Sequence, residues 1–168
     1  MRTARADHEG VFGPALEHAW EEPLRDGKAP WVFARPYPEF RRLEALGRFV
    51  CLAVEALDME FPQGTALVFA SSFGCLHADR LFEESRHAVI RPALFPYTLP
   101  STCLAELAIR HRVMGPTLCL SVAPDDATTA LAEARRLLAA GEAEAAVVCV
   151  GDVVPPDRIS MTAHYLTP

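Results

Sequence analysis

Gly115 to Asp152 reads GPTLCLSVAPDDATTALAEARRLLAAGEAEAAVVCVGD. Thr117 to Val122 is strand-like and Pro124 breaks it. Asp125-Asp126 then supplies an N-cap and an anion where a helix dipole favours one. The predicted helix carries Ala127, Ala130, Leu131, Ala134, Leu137 and Leu138 on one face and Glu133, Arg135 and Arg136 on the other, with Gly141 as its stop. Ala145 to Val150 (AAVVCV) is a continuous apolar run, the pattern of a strand buried on both faces, and it ends at Gly151-Asp152. Strand, sharp turn, amphipathic helix and second strand make one unit of an α/β fold, and such a turn can hold a nucleophile at the helix entrance.

Upstream, Thr65 to Ala70 (TALVFA) is a second apolar run, preceded by a 3.6-periodic stretch from Tyr37 to Met59 and the turn Phe61-Pro62-Gln63-Gly64. A small-residue loop, Ser71-Ser72-Phe73-Gly74-Cys75, leads from it into a predicted helix over Leu76 to Glu84. Between His87 and Pro100 three prolines and several aromatics read as a packed irregular loop. Ser101 or Thr102 is placed to cap a helix, with Glu106 in capping reach and Gly115-Pro116 at its end. The expected fold is α/β, a mixed and mostly parallel sheet with helices on both faces. Residues 1–29 read as a mobile lead-in with one modest helix around Ala15 to Glu22, and Trp31 to Ala34 as a short strand ended by Pro36. The tail after Pro155-Pro156 shows no element of its own.

The 168 residues fit one domain, and the net charge of −6 gives no electrostatic reason to expect nucleic acid or an anionic membrane surface. Arg41-Arg42 and Arg135-Arg136 read as solvated helix faces. No apolar stretch approaches the ~18–20 residues of a membrane span. Five cysteines (Cys51, Cys75, Cys103, Cys119, Cys149) lack CxxC spacing and read as reduced, buried thiols of a cytoplasmic protein, Cys119 packing into its strand. No phosphate loop, HExxH or GxGxxG is present, so no metal or cofactor is expected.

The order of these parts from about Pro38 to Asp152 resembles the N-terminal half of β-ketoacyl synthases, condensing enzymes of the thiolase superfamily. The cues are TALVFASSFG, the segment FPYTLPSTCLAELAIRH, Gly-Pro before a strand (GPTLCLSV), Ala130-Leu131 in the following helix and the closing GEAEAAVVCVGD. In that family a cysteine follows an alanine at the helix entrance after the Gly-Pro strand, where the dipole lowers its pKa and backbone N–H groups hold the thioester oxyanion. Carried over, Ala123 matches the alanine and the nucleophile position falls on Pro124, which has neither a nucleophilic atom nor a backbone N–H. Asp125 and Asp126 beside it oppose both a thiolate and a developing oxyanion. The family's second half supplies catalytic histidines, and His77, His87, His111 and His164 match no such motif.

The resemblance therefore implies a protein without catalysis of its own, an accessory subunit of chain-length-factor type in fatty-acid or polyketide-type assembly. Its expected state is a homodimer or a hetero-complex with a true condensing enzyme, with an acyl carrier protein as a further implied partner. The small residues Ala127, Thr128, Thr129, Ala130, Ala132 and Ala134 suit close burial of the helix by that partner. Two alternatives stand beside it. One is an acyl-thioester hydrolase or acyltransferase using Ser71, Ser72 or Ser101, although no Gly-x-Ser-x-Gly elbow is present. The other is a binding or regulatory module that kept the fold and left acyl chemistry.

Overall fold

The computed structural model describes residues 1–7, 9–13, 16–19, 36–124 and 126–168. In chain order the strands are β1 (Arg2–Asp7), β2 (Gly10–Gly13), β3 (Leu16–Ala19), β4 (Thr65–Ser71), β5 (Thr117–Ser121), β6 (Ala145–Val154) and β7 (Arg158–Leu166). The helices are α1 (Ala45–Glu55), α2 (Leu76–Arg86), α3 (Ser101–His111) and α4 (Thr128–Ala139). All described strands join one sheet in the order β3-β2-β1-β7-β6-β4-β5.

The apolar runs of β4 and β6 lie where a strand must be covered twice. β4 pairs in parallel with β6 on one side and β5 on the other, and every residue of β4 is buried. Its side chains alternate between two cores. Leu67 and Phe69 pack with α1 and α3, together with Val147 and Cys149 of β6, while Ala66, Val68 and Ala70 pack with α4. On that second face alanines stand on both sides, Ala66, Ala70 and Ala146 from the sheet against Ala130 and Ala134 from the helix, so α4 can lie close against the strands. Gly115 serves the same closeness at the start of β5. A Cβ there would come within 2.3 Å of the Thr65 carbonyl oxygen, and the next residue's carbonyl, Pro116, accepts from Leu67 N at 2.8 Å.

The α/β class with a mixed sheet and helices on both faces stands. The sheet is less parallel than expected, because β1, β2, β3 and β7 all join antiparallel neighbours. These strands come from the two segments that showed no clear pattern. The described start of the lead-in belongs to the sheet: β1 pairs along its whole length with β7, burying Ala4 and Ala6. In Arg2-Thr3-Ala4-Arg5-Ala6-Asp7 the inward residues are alanines, too weakly apolar to mark a period of two among charges. The tail likewise forms β7, which turns its Met161 and Ala163 inward against α1.

Other local differences have local causes. Leu16–Ala19 is the strand β3, so the helix expected around Ala15 to Glu22 does not form there; the remainder of that stretch and the strand expected at Trp31 to Ala34 lie outside the described residues. The helix expected from Tyr37 begins instead as a 3-10 turn, Pro38–Arg42, and restarts at Ala45, where the Glu44 carboxylate accepts from Leu46 N at 3.0 Å. A second 3-10 turn, Pro92–Thr98, orders the proline-rich loop. α3 has Pro100 at its N-cap with no side-chain cap, since the Thr102 hydroxyl donates back to the Pro96 carbonyl instead of capping. Among the described residues no helix is long and apolar enough to cross a membrane.

Candidate functional site

The loops at the C-terminal ends of β4 and β5 form the candidate site, the position where open α/β sheets present ligands. They are tied together: Val122 N, just past β5, donates to the Ser71 carbonyl at 3.2 Å. The turn after β5 carries Ala123 and Pro124, both exposed, and closes when Asp126 N donates to the Ala123 carbonyl at 3.1 Å. α4 starts later than expected, at Thr128 with Ala127 as N-cap, so Pro124 lies in the turn ahead of the helix. Asp126 still does the capping chemistry. Its Oδ1 accepts from Thr128 N and its Oδ2 from the Thr129 hydroxyl, each at 2.9 Å, and the Thr129 and Thr128 hydrogen bonds hold its carboxyl below the ordinary aspartate value. A fixed anion therefore stands at the head of α4. Asp125 lies outside the described residues.

No described thiol is prepared for attack. Cys51 is pushed up to about 12 mainly by burial, and Cys75 to about 12 by burial and then by Asp79, Glu44 and Cys119. Cys103, Cys149 and Cys119 are raised as well, burial leading in each. A nucleophilic cysteine needs the opposite displacement. Four of the five are buried as expected, but Cys119 is exposed: β5 is an edge strand and its Thr117, Cys119 and Ser121 face outward.

The candidate serines are held in other contacts. Ser71 is buried and its hydroxyl donates to Asp152 Oδ1 at 2.5 Å while accepting from Gly74 N at 2.7 Å and Phe73 N at 3.3 Å. Among the described residues its partners include no histidine. His77 pairs with Glu44 at 3.4 Å, His87 with Glu83 at 3.5 Å, His111 with Glu55 at 3.4 Å, and His164 with the Thr3 hydroxyl at 3.0 Å. Ser101 opens α3 on its exposed side. Among the described residues no group of three His, Cys, Asp or Glu side chains could hold a metal ion.

Two features were not read from the sequence. Asp152, 3% exposed, takes part in the β4 loop through hydrogen bonds to Ser71, Ser72 and Phe73. Its only sequence signal was a polar residue ending a buried run. The second is an open groove of about 590 Å³ beside β5, lined by Leu118 and Leu120 from the strand and by Thr128, Thr129, Ala132 and Arg136 from α4. On the opposite face α3 leaves Ile109 exposed, and Met114 stands out beyond its end.

No protein-family model and no curated protein matches the sequence. Solved structures do match its fold. A ketosynthase in complex with its chain length factor from Xenorhabdus doucetiae aligns with a TM-score of 0.73 at 16% identity, over 99% of this chain and 77% of that one. The ishigamide ketosynthase/chain length factor aligns with a TM-score of 0.72 at 12% identity, over 99% and 61%. A type II polyketide synthase acyl-carrier protein in complex with its ketosynthase bound to the hexaketide gives a TM-score of 0.71 at 9% identity, again over 99% and 61%. At these identities the likeness establishes the fold, and the chain carries the thiolase-like fold of ketosynthases and chain length factors. It spans 77% of the first of these chains and 61% of the other two.

Proposed function

We propose that this protein is a non-catalytic, chain-length-factor-like accessory subunit of fatty-acid or polyketide-type biosynthesis, cytoplasmic and working beside a true condensing enzyme. The observation that carries the reading is the turn after β5. In a thiolase-like fold, the residue that the family resemblance assigns to the nucleophile is Pro124, and the next described side chain, Asp126, is a capped anion. A thioester oxyanion formed there would meet a carboxylate and lack an N–H from residue 124.

The partner side of the proposal rests on the free edge of the sheet. Among the described strands β5 pairs only with β4, and an edge beside an open groove lined by Leu118 and Leu120 is a surface that stable proteins cover. The named complexes of ketosynthases with chain length factors and with an acyl-carrier protein support a condensing enzyme as the first occupant and a carrier as a more distant one.

The test has two arms. Sedimentation of the protein alone and with a condensing enzyme from the same organism should give a complex, and monomer in both runs would overturn the partner assignment. Incubation with acyl-carrier and acyl-CoA thioesters, followed by intact-mass measurement, should leave the chain unmodified. A stable acyl adduct lost on Ser71→Ala would replace this reading with a serine acyltransferase.

A further inference from the structure

Three consecutive backbone N–H groups of the loop after β4 point the same way. Ser72 N and Phe73 N donate to Asp152 Oδ1 at 2.9 and 3.0 Å, and Gly74 N donates to the Ser71 hydroxyl, which itself donates to that same carboxylate oxygen. Converging N–H groups make a concavity suited to an anion. In this chain the anion is internal, a carboxylate delivered from β6, the strand that pairs directly with β4.

The delivery is built into the backbone. Gly151 has φ +150°, and a Cβ on it would lie 2.1 Å from the Ser160 carbonyl oxygen, so only glycine lets β7 close on β6 at this point and turn Asp152 toward the loop. On the far side Arg158 of β7 stands 3.7 Å from Asp152 Oδ2, and its guanidinium lies 5.5 Å from the centroid of the Phe73 ring. Phe73 is 43% exposed, so this clasp fixes an aromatic side chain that stands in solvent.

We infer that Asp152 is a latch: a positioning residue that occupies the loop's N–H groups and holds Ser72 to Cys75, with Phe73, in a single pose. Because its carboxylate fills the concavity, those N–H groups are closed to any other anion in the resting protein. The inference rests on the hydrogen bonds around Asp152 alone, and its failure would leave the accessory-subunit reading standing.

Amide hydrogen exchange of the full chain, read by NMR, tests it. In Asp152→Ala the amides of Ser72, Phe73 and Gly74 should exchange roughly 10- to 100-fold faster, as expected when hydrogen bonds to a charged acceptor are lost. Phe69 and Val148 in the sheet should be unchanged. Sodium formate, a carboxylate small enough to enter the vacated space, should restore protection in this variant and have no effect on the parent. Asp152→Asn, which keeps one acceptor oxygen, should fall between the two. Unchanged exchange at the three loop amides in Asp152→Ala would overturn the latch. So would failure of formate to restore it, or loss of protection spread equally through Phe69 and Val148 in both variants, which would make Asp152 a support of the whole sheet.

Discussion

Phe69 and Cys119 are register partners across the parallel pairing of β4 with β5, yet Phe69 is 1% exposed and Cys119 is open to solvent. One strand of displacement takes a side chain from the centre of the core to the rim of the molecule. Accessibility at β5 is thus a reporter of whatever covers this edge. Thiol labelling followed by peptide mapping should modify Cys119 first and leave Cys51 and Cys149 untouched until the protein is denatured. Neighbouring groups still shield part of its thiol from water and raise it above the ordinary value of 9.0, so the rate should be slow near neutrality and climb as pH passes that value. Adding the condensing enzyme should slow it if that enzyme covers β5.

Phe69 itself fills the space between β4 and the helices α1 and α3. Removing the ring leaves a cavity that close-packed neighbours cannot collapse into fully. Phe69→Ala should cost about 3–5 kcal/mol, seen as a lower urea midpoint with the slope little changed.

Gly151→Ala places a Cβ against the Ser160 carbonyl at a φ that L residues rarely adopt. A loss of about 1–3 kcal/mol is expected, together with displacement of the β6–β7 pairing near its turn. Thermal melting and the amide spectrum of residues 150–161 would reveal both effects, and a variant as stable as the parent would count against the close approach.

Alkaline pH should destabilise the fold. Cys51 is held protonated, its folded value pushed up to about 12 from an ordinary 9.0 by burial. A raised value means that the folded state binds the proton more tightly, so this contribution is complete below about pH 9 and is lost as pH rises toward 12. Melting temperature should therefore hold steady to about pH 9 and fall beyond it, and Cys51→Ala should remove part of the slope.

Much of the fold was legible because some segments carry strong, redundant signals. TALVFA and AAVVCV are continuous apolar runs that only a doubly covered strand accommodates, and α4 combines a clean apolar face with an acidic cap and a terminal Gly141 in the left-handed conformation (φ +68°). The antiparallel strands escaped notice because their inward positions are alanine, methionine or short alternations mixed with charge. A weak pattern becomes a strand here because a partner strand is at hand: β1 and β7 lie at opposite ends of the chain and each supplies the other's hydrogen bonds. Cys119 shows a subtler case. The alternation Thr117-Leu118-Cys119-Leu120-Ser121 was in plain view, and it marks an edge strand with one half-buried row, whereas reading the segment as another buried run placed the thiol in the core.

At the candidate site, Pro124 and Asp126 could be named from residue order, because the resemblance is a matter of sequence and a proline's missing N–H is a covalent fact. The Ser71–Asp152 pair could not. Its members are separated by 81 positions and meet only because β4 and β6 are adjacent parallel strands whose ends fall level. Local chemistry, then, determined a turn that carries Pro124 and the Asp126 cap of α4. Strand order alone decided that the neighbouring loop would be filled by a distant carboxylate and that β5 would be left at the edge of the sheet, since hydrogen-bond partners across a sheet are set by topology and not by distance along the chain.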